Sequence, residues 1–464
     1  MTIRADFDRL QQAHLNGALN YKQRIDLLTR LESSVRNYRE DLVEACNKDF
    51  GRRARMETLG ADVMVSLDEI KYARKNLRRW MRPQSRSVNI TFKPARGEIR
   101  YTPLGVVGVV APWNYPFQLA IIPLVNALAA GNRVMIKPSE FTPHVSALLE
   151  KMLGEVFSSD EVVVVQGGAD VGAAFTQLPF DHLIFTGSTS VGKHVMAAAA
   201  NNLTPVTLEL GGKSPAMIAQ GYPIAKAADR IAFGKCFNAG QTCVAPDYVL
   251  LPEDQLESFV EEFMASVKRR YPDLATDSDY TGIINERQYS RLQACLLEAQ
   301  NAGVHTVAYP TSEMNDTNLR LIPPTLLINP AADLSVMQQE IFGPLLPIIT
   351  YSSIDQAINF VLRRDKPLAF YLFDNQGARV DAVLGRICAG SVCINDVLIQ
   401  FGQDDLPIGG VGASGMGHYH GKDGFLTFSK AMPVMYQSRL NGMKLFDAPY
   451  GKLINKMVDY LTKP

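Results

Sequence analysis

The sequence predicts an α/β fold: two units built on parallel sheets, with a small β element beside them. Three observations carry that expectation. Between Gly105 and Gly187, short β-branched runs alternate with helical stretches (GVVGVVAPW, PFQLAIIPLVNALAAG, RVMIKPSE, EVVVVQGG, DHLIFTG), and strands buried on both faces of a parallel, doubly wound sheet give such continuous apolar runs. A second α/β series follows from about Gly212 to Cys393, with DYVLLP and PLLPIITY as strands, a helix near Ala225 to Phe237 and a charged helix from Asp254. At 464 residues the chain also exceeds what one core usually organises.

Taken in order, residues 1 to about 80 alternate apolar and charged positions at helical period and read as a helical lead-in. From Val88 to Tyr101 the pattern turns β-like and basic (VNITFKPARGEIRY), as expected of a projecting hairpin or edge strand. The first α/β series is a nucleotide-binding type of architecture and the second reads as a catalytic unit. A Gly-dense stretch, LPIGGVGASGMGHYHGKDG, then leads into FLTFSKAMPVMYQS. In the tail, Leu453, Met457 and Leu461 fall near helical spacing, a stripe expected to pack rather than to bind a membrane.

Bulk properties exclude several function classes. The 47 basic and 47 acidic residues cancel, so the charge favours neither nucleic acid nor an anionic membrane. The first residues, MTIRADFDRLQQAHL, are too charged for a signal peptide, and no run reaches the ~18 apolar residues of a spanning segment. Six cysteines lack metal-ligand or Cys-x-x-Cys spacing, which fits reduced thiols in a cytoplasmic protein. His418 and His420 lie two residues apart without a third ligand nearby, so no metal is expected.

Three residues are candidates for chemistry. Cys243, in FNAGQTCVAP, follows a Gly-containing loop that leads into a strand, where backbone N–H groups can stabilise a thiolate; a buried structural cysteine fits the spacing equally well. Glu209, in PVTLELGGKSP, is a lone carboxylate in an apolar run, where desolvation raises its pKa and suits it to accept a proton; a pairing with Lys or a helix cap is the competing reading. Asn114, in APWNYPFQ, can offer its amide to an oxyanion or act as an N-cap.

Other residues suggest a bound nucleotide. Gly187, Ser188 and Gly192 lie between a strand and a helix, where a pyrophosphate can meet backbone N–H groups, although the spacing is not G-x-G-x-x-G. Lys137 and Glu140 leave the end of a strand, positioned for a ribose or for a plain ion pair. Tyr115 and Phe117 either line a substrate tunnel or belong to the core.

Together PWNYP, IKPSE, FTGSTSVG, LELGGKSP, NAGQTC and QEIFGP, in this order, resemble the aldehyde dehydrogenase superfamily. The resemblance implies a Rossmann-type cofactor domain over 1–80 and 103–211, a catalytic domain over 212–395, a small β oligomerisation or bridging element from 81–102 and 396–440, and a C-terminal tail over 441–464. It makes Cys243 the nucleophile, Glu209 the general base and Asn114 the oxyanion donor. Around the cofactor it sets Pro112, Trp113, Lys137, Glu140, Gly187, Ser188 and Gly192, with Glu340 on the nicotinamide ribose and Phe342 against the nicotinamide. PWNYP, KPSE, CVAPDYVL and GKDGFLTFSK look like the class 3 branch, which implies aromatic aldehydes such as coniferyl aldehyde, or medium-chain ones, and a homodimer. One departure from that branch is Ile408, where a Phe is more usual at the substrate mouth.

A carboxylate at Glu140 accepts from a ribose 2′-OH and repels a 2′-phosphate, so NAD is the expected cofactor, with NADP as a second. Two rival readings remain open. A CoA-acylating enzyme would generally lack the base at Glu209, and a non-catalytic protein on the same fold would have no need of Cys243, Glu209 and Asn114 together.

Overall fold

The computed structural model describes residues 3–310 and 319–463. Among these, strands form three sheets. The first has six strands in the order Gly415–Met416, Val206–Leu210, His182–Gly187, Val106–Val110, Arg133–Lys137 and Val162–Val164. All its neighbours pair in parallel except Gly415–Met416, which runs antiparallel to Val206–Leu210. The second has seven, in the order His305–Ala308, Thr325–Ile328, Leu345–Tyr351, Tyr248–Pro252, Pro215–Ile218, Ala369–Phe373 and Ser391–Ile394. Only its first pair is antiparallel.

The apolar runs form buried strands because helices cover both faces. Helix Gln118–Ala130 is buried along its whole length and packs in the core beneath the first sheet. It ends at Gly131, whose φ of 92° is left-handed. Any side chain there would collide with the Arg24 guanidinium, 2.5 Å from the position a Cβ would take. Arg24, itself buried, donates to the carbonyls of Leu19 (2.9 Å) and Ala129 (3.0 Å). A cation thus caps the helix at the negative end of its dipole and ties the lead-in to the sheet. In the lead-in, helix Tyr21–Asn37 starts with a reciprocal capping box between Asn20 and Gln23 and buries Leu27, Leu28, Leu31 and Val35 at helical spacing.

Three expectations need correction. The β-like stretch from Val88 is not strand throughout: Gln84–Arg86 and Arg96–Pro103 are strands, and between them Asn89 caps a short 3₁₀ turn over Ile90–Phe92. The second of these strands forms the centre of a three-stranded antiparallel sheet completed by Ser429–Tyr436. The Gly-dense stretch does not serve that small sheet alone, because Gly415–Met416 edges the first large sheet beside Glu209. In the tail, helix Lys452–Thr462 forms, but Ile454 is the side chain that turns inward while Leu453 and Leu461 stay 67% and 63% exposed. Of the stripe expected to pack, Leu453 and Leu461 therefore face outward and Met457 is half-buried. No helix among the described residues is long and apolar enough to cross a membrane.

Candidate active site

Cys243 lies between the 3₁₀ turn Phe237–Gly240 and the strand Tyr248–Pro252. Its loop is wound tightly: Asn238, Ala239 and Gly240 have φ of 50°, 51° and 72°. Left-handed backbone costs a non-glycine residue about 1–2 kcal/mol, so such a turn persists only where surrounding bonds over-determine it. Asn238 N–H donates to Glu57 (2.9 Å) and its Nδ2 to the carbonyls of Asn114 and Gln241, both at 3.1 Å. Gln241 in turn donates to the carbonyls of Asn238 (3.1 Å) and Gly282 (3.0 Å) and accepts from Ile284 N–H (3.0 Å). At Gly240 only glycine fits, since a Cβ would stand 2.4 Å from the Gly343 carbonyl oxygen.

Whereas Cys46, Cys236 and Cys393 are buried, Cys243 is half-buried as a residue. Burial pushes its pKa up, the carboxylates of Glu340 and Glu209 push further, and its own N–H and that of Val244 pull the other way. The loop was expected to stabilise a thiolate; its two N–H groups act in that direction, but burial and the two carboxylates outweigh them and the net shift is upward. Glu209, 4% exposed on strand Val206–Leu210, has no hydrogen-bond partner for Oε1. Burial alone holds its carboxyl well above the usual range. No lysine pairs with it.

Asn114 is buried, and it is not an N-cap: helix Gln118–Ala130 begins after Phe117, and Asp62 accepts the Gln118 N–H (3.0 Å). The Asn114 carbonyl is instead clamped from two sides, by Asn238 Nδ2 and by the Arg53 guanidinium (2.9 Å). That arrangement leaves the side-chain amide free for a ligand. Tyr115 hydrogen-bonds Thr242, beside the thiol, at 2.6 Å. Phe117 does not line a tunnel; it is 2% exposed within the main core. Ile408 is likewise core, 1% exposed and paired with Tyr419, so it does not shape a substrate mouth.

Cofactor candidates gather along the C-terminal ends of adjacent parallel strands, where open α/β sheets bind ligands. Pro112 and Trp113 follow Val106–Val110, Lys137 ends Arg133–Lys137, and Gly187 ends His182–Gly187. Lys137 and Glu140 form an ion pair of 2.8 Å, with the lysine buried and the carboxylate partly exposed. Ser188 caps helix Thr189–Ala200 through Val191 N–H (3.4 Å), and buried Gly192 leaves room for Leu210, 2.6 Å from the position of an added Cβ. Phe342, at φ 47°, sets its ring 5.2 Å from Trp113 in an edge-on contact. Glu340 lies against Gly211, where a Cβ would sit 2.0 Å from its Oε2, and its Oε1 has no partner. An unpartnered carboxylate oxygen, a helix N-terminus and a lysine–carboxylate pair on one sheet edge fit a dinucleotide's riboses and pyrophosphate. Among the described residues no cluster of three or more His, Cys, Asp or Glu could hold a metal.

Sequence reasoning missed Arg53, Glu57 and Asp62, which form the rear wall of this site, and Tyr419, a buried phenol close enough to feel Glu209 and Cys243. The two histidines flanking Tyr419 drew attention in its place. His420 is buried with its pKa pushed down to about 3, and His418 is exposed.

Two large α/β sheets, the half-buried Cys243 and the buried carboxyl of Glu209, with one oxygen unpartnered, make up the layout of the site. Comparisons carry this further. The family model described as the aldehyde dehydrogenase family matches residues 11–434. A probable coniferyl aldehyde dehydrogenase of Pseudomonas aeruginosa is 50% identical over 98% of this chain and 95% of the relative. The coniferyl aldehyde dehydrogenase of a Pseudomonas species is 45% identical over 98% and 95%. A Staphylococcus aureus AldH, solved in a substrate-bound state, superposes with a TM-score of 0.93 at 36% identity, covering 100% of both chains. The chain belongs to the aldehyde dehydrogenase family and is an NAD(P)-dependent enzyme.

Proposed function

We propose that the enzyme oxidises an aromatic aldehyde of the coniferyl type to its carboxylate, with Cys243 as nucleophile and hydrolysis as the second half-reaction. The observation that carries this reading is the pairing of a thiol that receives two backbone N–H groups with a buried carboxyl that no cation neutralises. An aldehyde carbon releases hydride readily only once it is tetrahedral, and thiolate addition makes it so. Glu209 first takes the thiol proton, and the Cys243 thiolate then attacks the carbonyl carbon, whose oxygen takes on the negative charge. The Asn114 amide and the Cys243 N–H donate to that oxyanion. A bound nicotinamide would supply the acceptor for the hydride. The resulting thioester stays on Cys243 until Glu209, its proton released to solvent, acts as general base and takes a proton from water; the water oxygen attacks the acyl carbon, the C–S bond breaks, and the acid leaves with Cys243 restored as the thiolate. A strongly raised pKa is what a carboxyl needs to serve as a base near neutral pH.

NAD is the preferred cofactor, because the partly exposed Glu140 carboxylate can accept from a 2′-OH, and NADP is a second. Pro112, Trp113, Lys137, Gly187, Ser188, Gly192, Glu340 and Phe342 line its site. The 50% identity over nearly the whole chain supports the substrate assignment. The reading extends to a cytoplasmic homodimer whose domains are a cofactor domain (1–80 and 103–211), a catalytic domain (212–395), a bridging element (81–102 and 396–440) and a tail (441–464). A panel of kcat/KM values over coniferyl aldehyde, benzaldehyde and straight-chain aldehydes tests the substrate. The coniferyl compound should lead, and flat values would refute the assignment. Release of free acid without any CoA requirement should accompany turnover; acyl-CoA as the obligate product would refute the hydrolytic step.

A further inference from the structure

Three segments that carry site residues converge on one ion pair. Lys213 lies four residues beyond Glu209, Asp247 lies four beyond Cys243, and both side chains are nearly inaccessible, at 11% and 4% exposure. The lysine ammonium meets Asp247 Oδ2 and also donates to the carbonyls of Val336 (2.7 Å) and Gln339 (3.0 Å). The other Asp247 oxygen accepts the Ile341 N–H at 2.8 Å. Backbone groups on both sides of Glu340 are therefore bound by this one pair. The Asp247 N–H also donates to the Ser214 carbonyl at 2.7 Å, which closes the link between the Glu209 and Cys243 segments.

The Glu340 carboxylate itself has little to hold it. Among the described residues, one oxygen is unpartnered and the carboxylate receives a hydrogen bond from the Gly212 backbone. Its aim is set by the backbone that carries it, and that backbone is held by Lys213 and Asp247 on one side and on the other by Arg291, which donates to the carbonyls of Glu340 (3.5 Å) and Ile341 (2.6 Å).

We propose that the Lys213–Asp247 pair is a positioning device that fixes Glu340 for the ribose on the nicotinamide side of the cofactor and keeps it in register with the Cys243 loop. Neither residue touches substrate or cofactor; both act through Glu340. This rests on the assignment of Glu340 to that ribose. Loss of the ammonium frees the Gln339 carbonyl next to Glu340 and the Val336 carbonyl four residues before it, and the carboxylate then samples positions that do not meet the ribose.

The test is a double-mutant cycle read by NADH binding, followed by fluorescence titration on the full-length enzyme. Lys213→Met should weaken the NADH Kd about tenfold, and Lys213→Arg should recover most of that loss. Glu340→Gln should weaken binding by a similar factor. If Lys213 acts through Glu340, the double variant binds no worse than the weaker single variant, because one interaction has been removed twice. Multiplying losses, or an unaltered Kd in Lys213→Met, would overturn the positioning role. An unaltered Kd in Glu340→Gln would instead overturn the ribose assignment, so the two failures are distinguishable. Should Lys213→Met fail to fold, Asp247→Asn, which keeps an acceptor for the Ile341 N–H, takes its place in the cycle with the same expected coupling.

Discussion

Removing the Arg53 guanidinium should both unfold the protein more easily and slow catalysis. Arg53 and Asp62 are 0% exposed at their side chains and 2.9 Å apart, so the ion pair has no solvent to fall back on. Burial raises the Asp62 carboxyl, against which Arg53 and the Phe117 and Gln118 N–H groups work. In Arg53→Met, Asp62 retains only those N–H donors. Stranding a buried charge in this way costs about 3–5 kcal/mol, and the Asn114 carbonyl loses one donor worth about 1 kcal/mol. The double variant Arg53→Met/Asp62→Asn abolishes the stranded charge while keeping an acceptor for Gln118, and it should regain at least ~2 kcal/mol of the loss. Urea unfolding followed by far-UV circular dichroism and by Trp80 and Trp113 fluorescence gives both numbers. Because Asn114 would then be held by Asn238 alone, kcat in the folded fraction should fall about tenfold to a hundredfold, the usual effect of a misplacement of about 1 Å. A single variant less than ~1 kcal/mol below wild type, or a double variant no more stable than the single, would refute the reasoning.

Glu209→Gln should give a burst of reduced cofactor followed by steady-state turnover lower by about 10²–10⁴-fold; turnover equal to wild type would remove Glu209 from deacylation. Glu69, buried and with its pKa pushed up to about 8, accepts the Gly421 N–H (2.9 Å) and faces Asn126. The folded protein keeps that carboxyl protonated while the unfolded chain ionises it near 4.5, so native stability should fall as pH rises from about 4.5 to about 8 and then level. In Glu69→Gln this decline should shrink, which denaturation midpoints across that range will show; a slope identical to wild type would contradict it. Gly240→Ala, at φ 72° and 2.4 Å from the Gly343 oxygen, should cost more than about 1 kcal/mol and most of the activity, and an unaltered thermal midpoint would argue against a rigid loop.

Periodicity made the helices and the parallel strands legible, since apolar runs such as VMIK and LIF have no other use than burial on both faces. Cys243, Glu209 and Asn114 stood out because each is a polar residue of catalytic type set in an apolar or glycine-bearing segment. What lies behind them did not. Arg53 and Glu57 sit in a helical stretch whose charges look like any solvated face, and nothing local reveals that they meet residues far along the chain. Asn114 looked like an N-cap because Asp62, which caps the helix instead, comes from 56 positions away in sequence. The tail stripe misled for a related reason: spacing defines a face, but only tertiary contact decides which side of the helix turns inward.

The Asn238 turn is braced by Glu57, 181 residues earlier in the chain, and that separation has a consequence for how the protein is made. At about 5–20 residues per second, the ribosome delivers Asn238 roughly ten to forty seconds after Glu57. During that interval the lead-in carries, in Glu57, an acid whose partner in the turn does not yet exist. Water or a chaperone must satisfy it meanwhile. The wall of the catalytic pocket is thus synthesised early and finished late, and the nascent lead-in is the stretch of chain where premature collapse would do most harm.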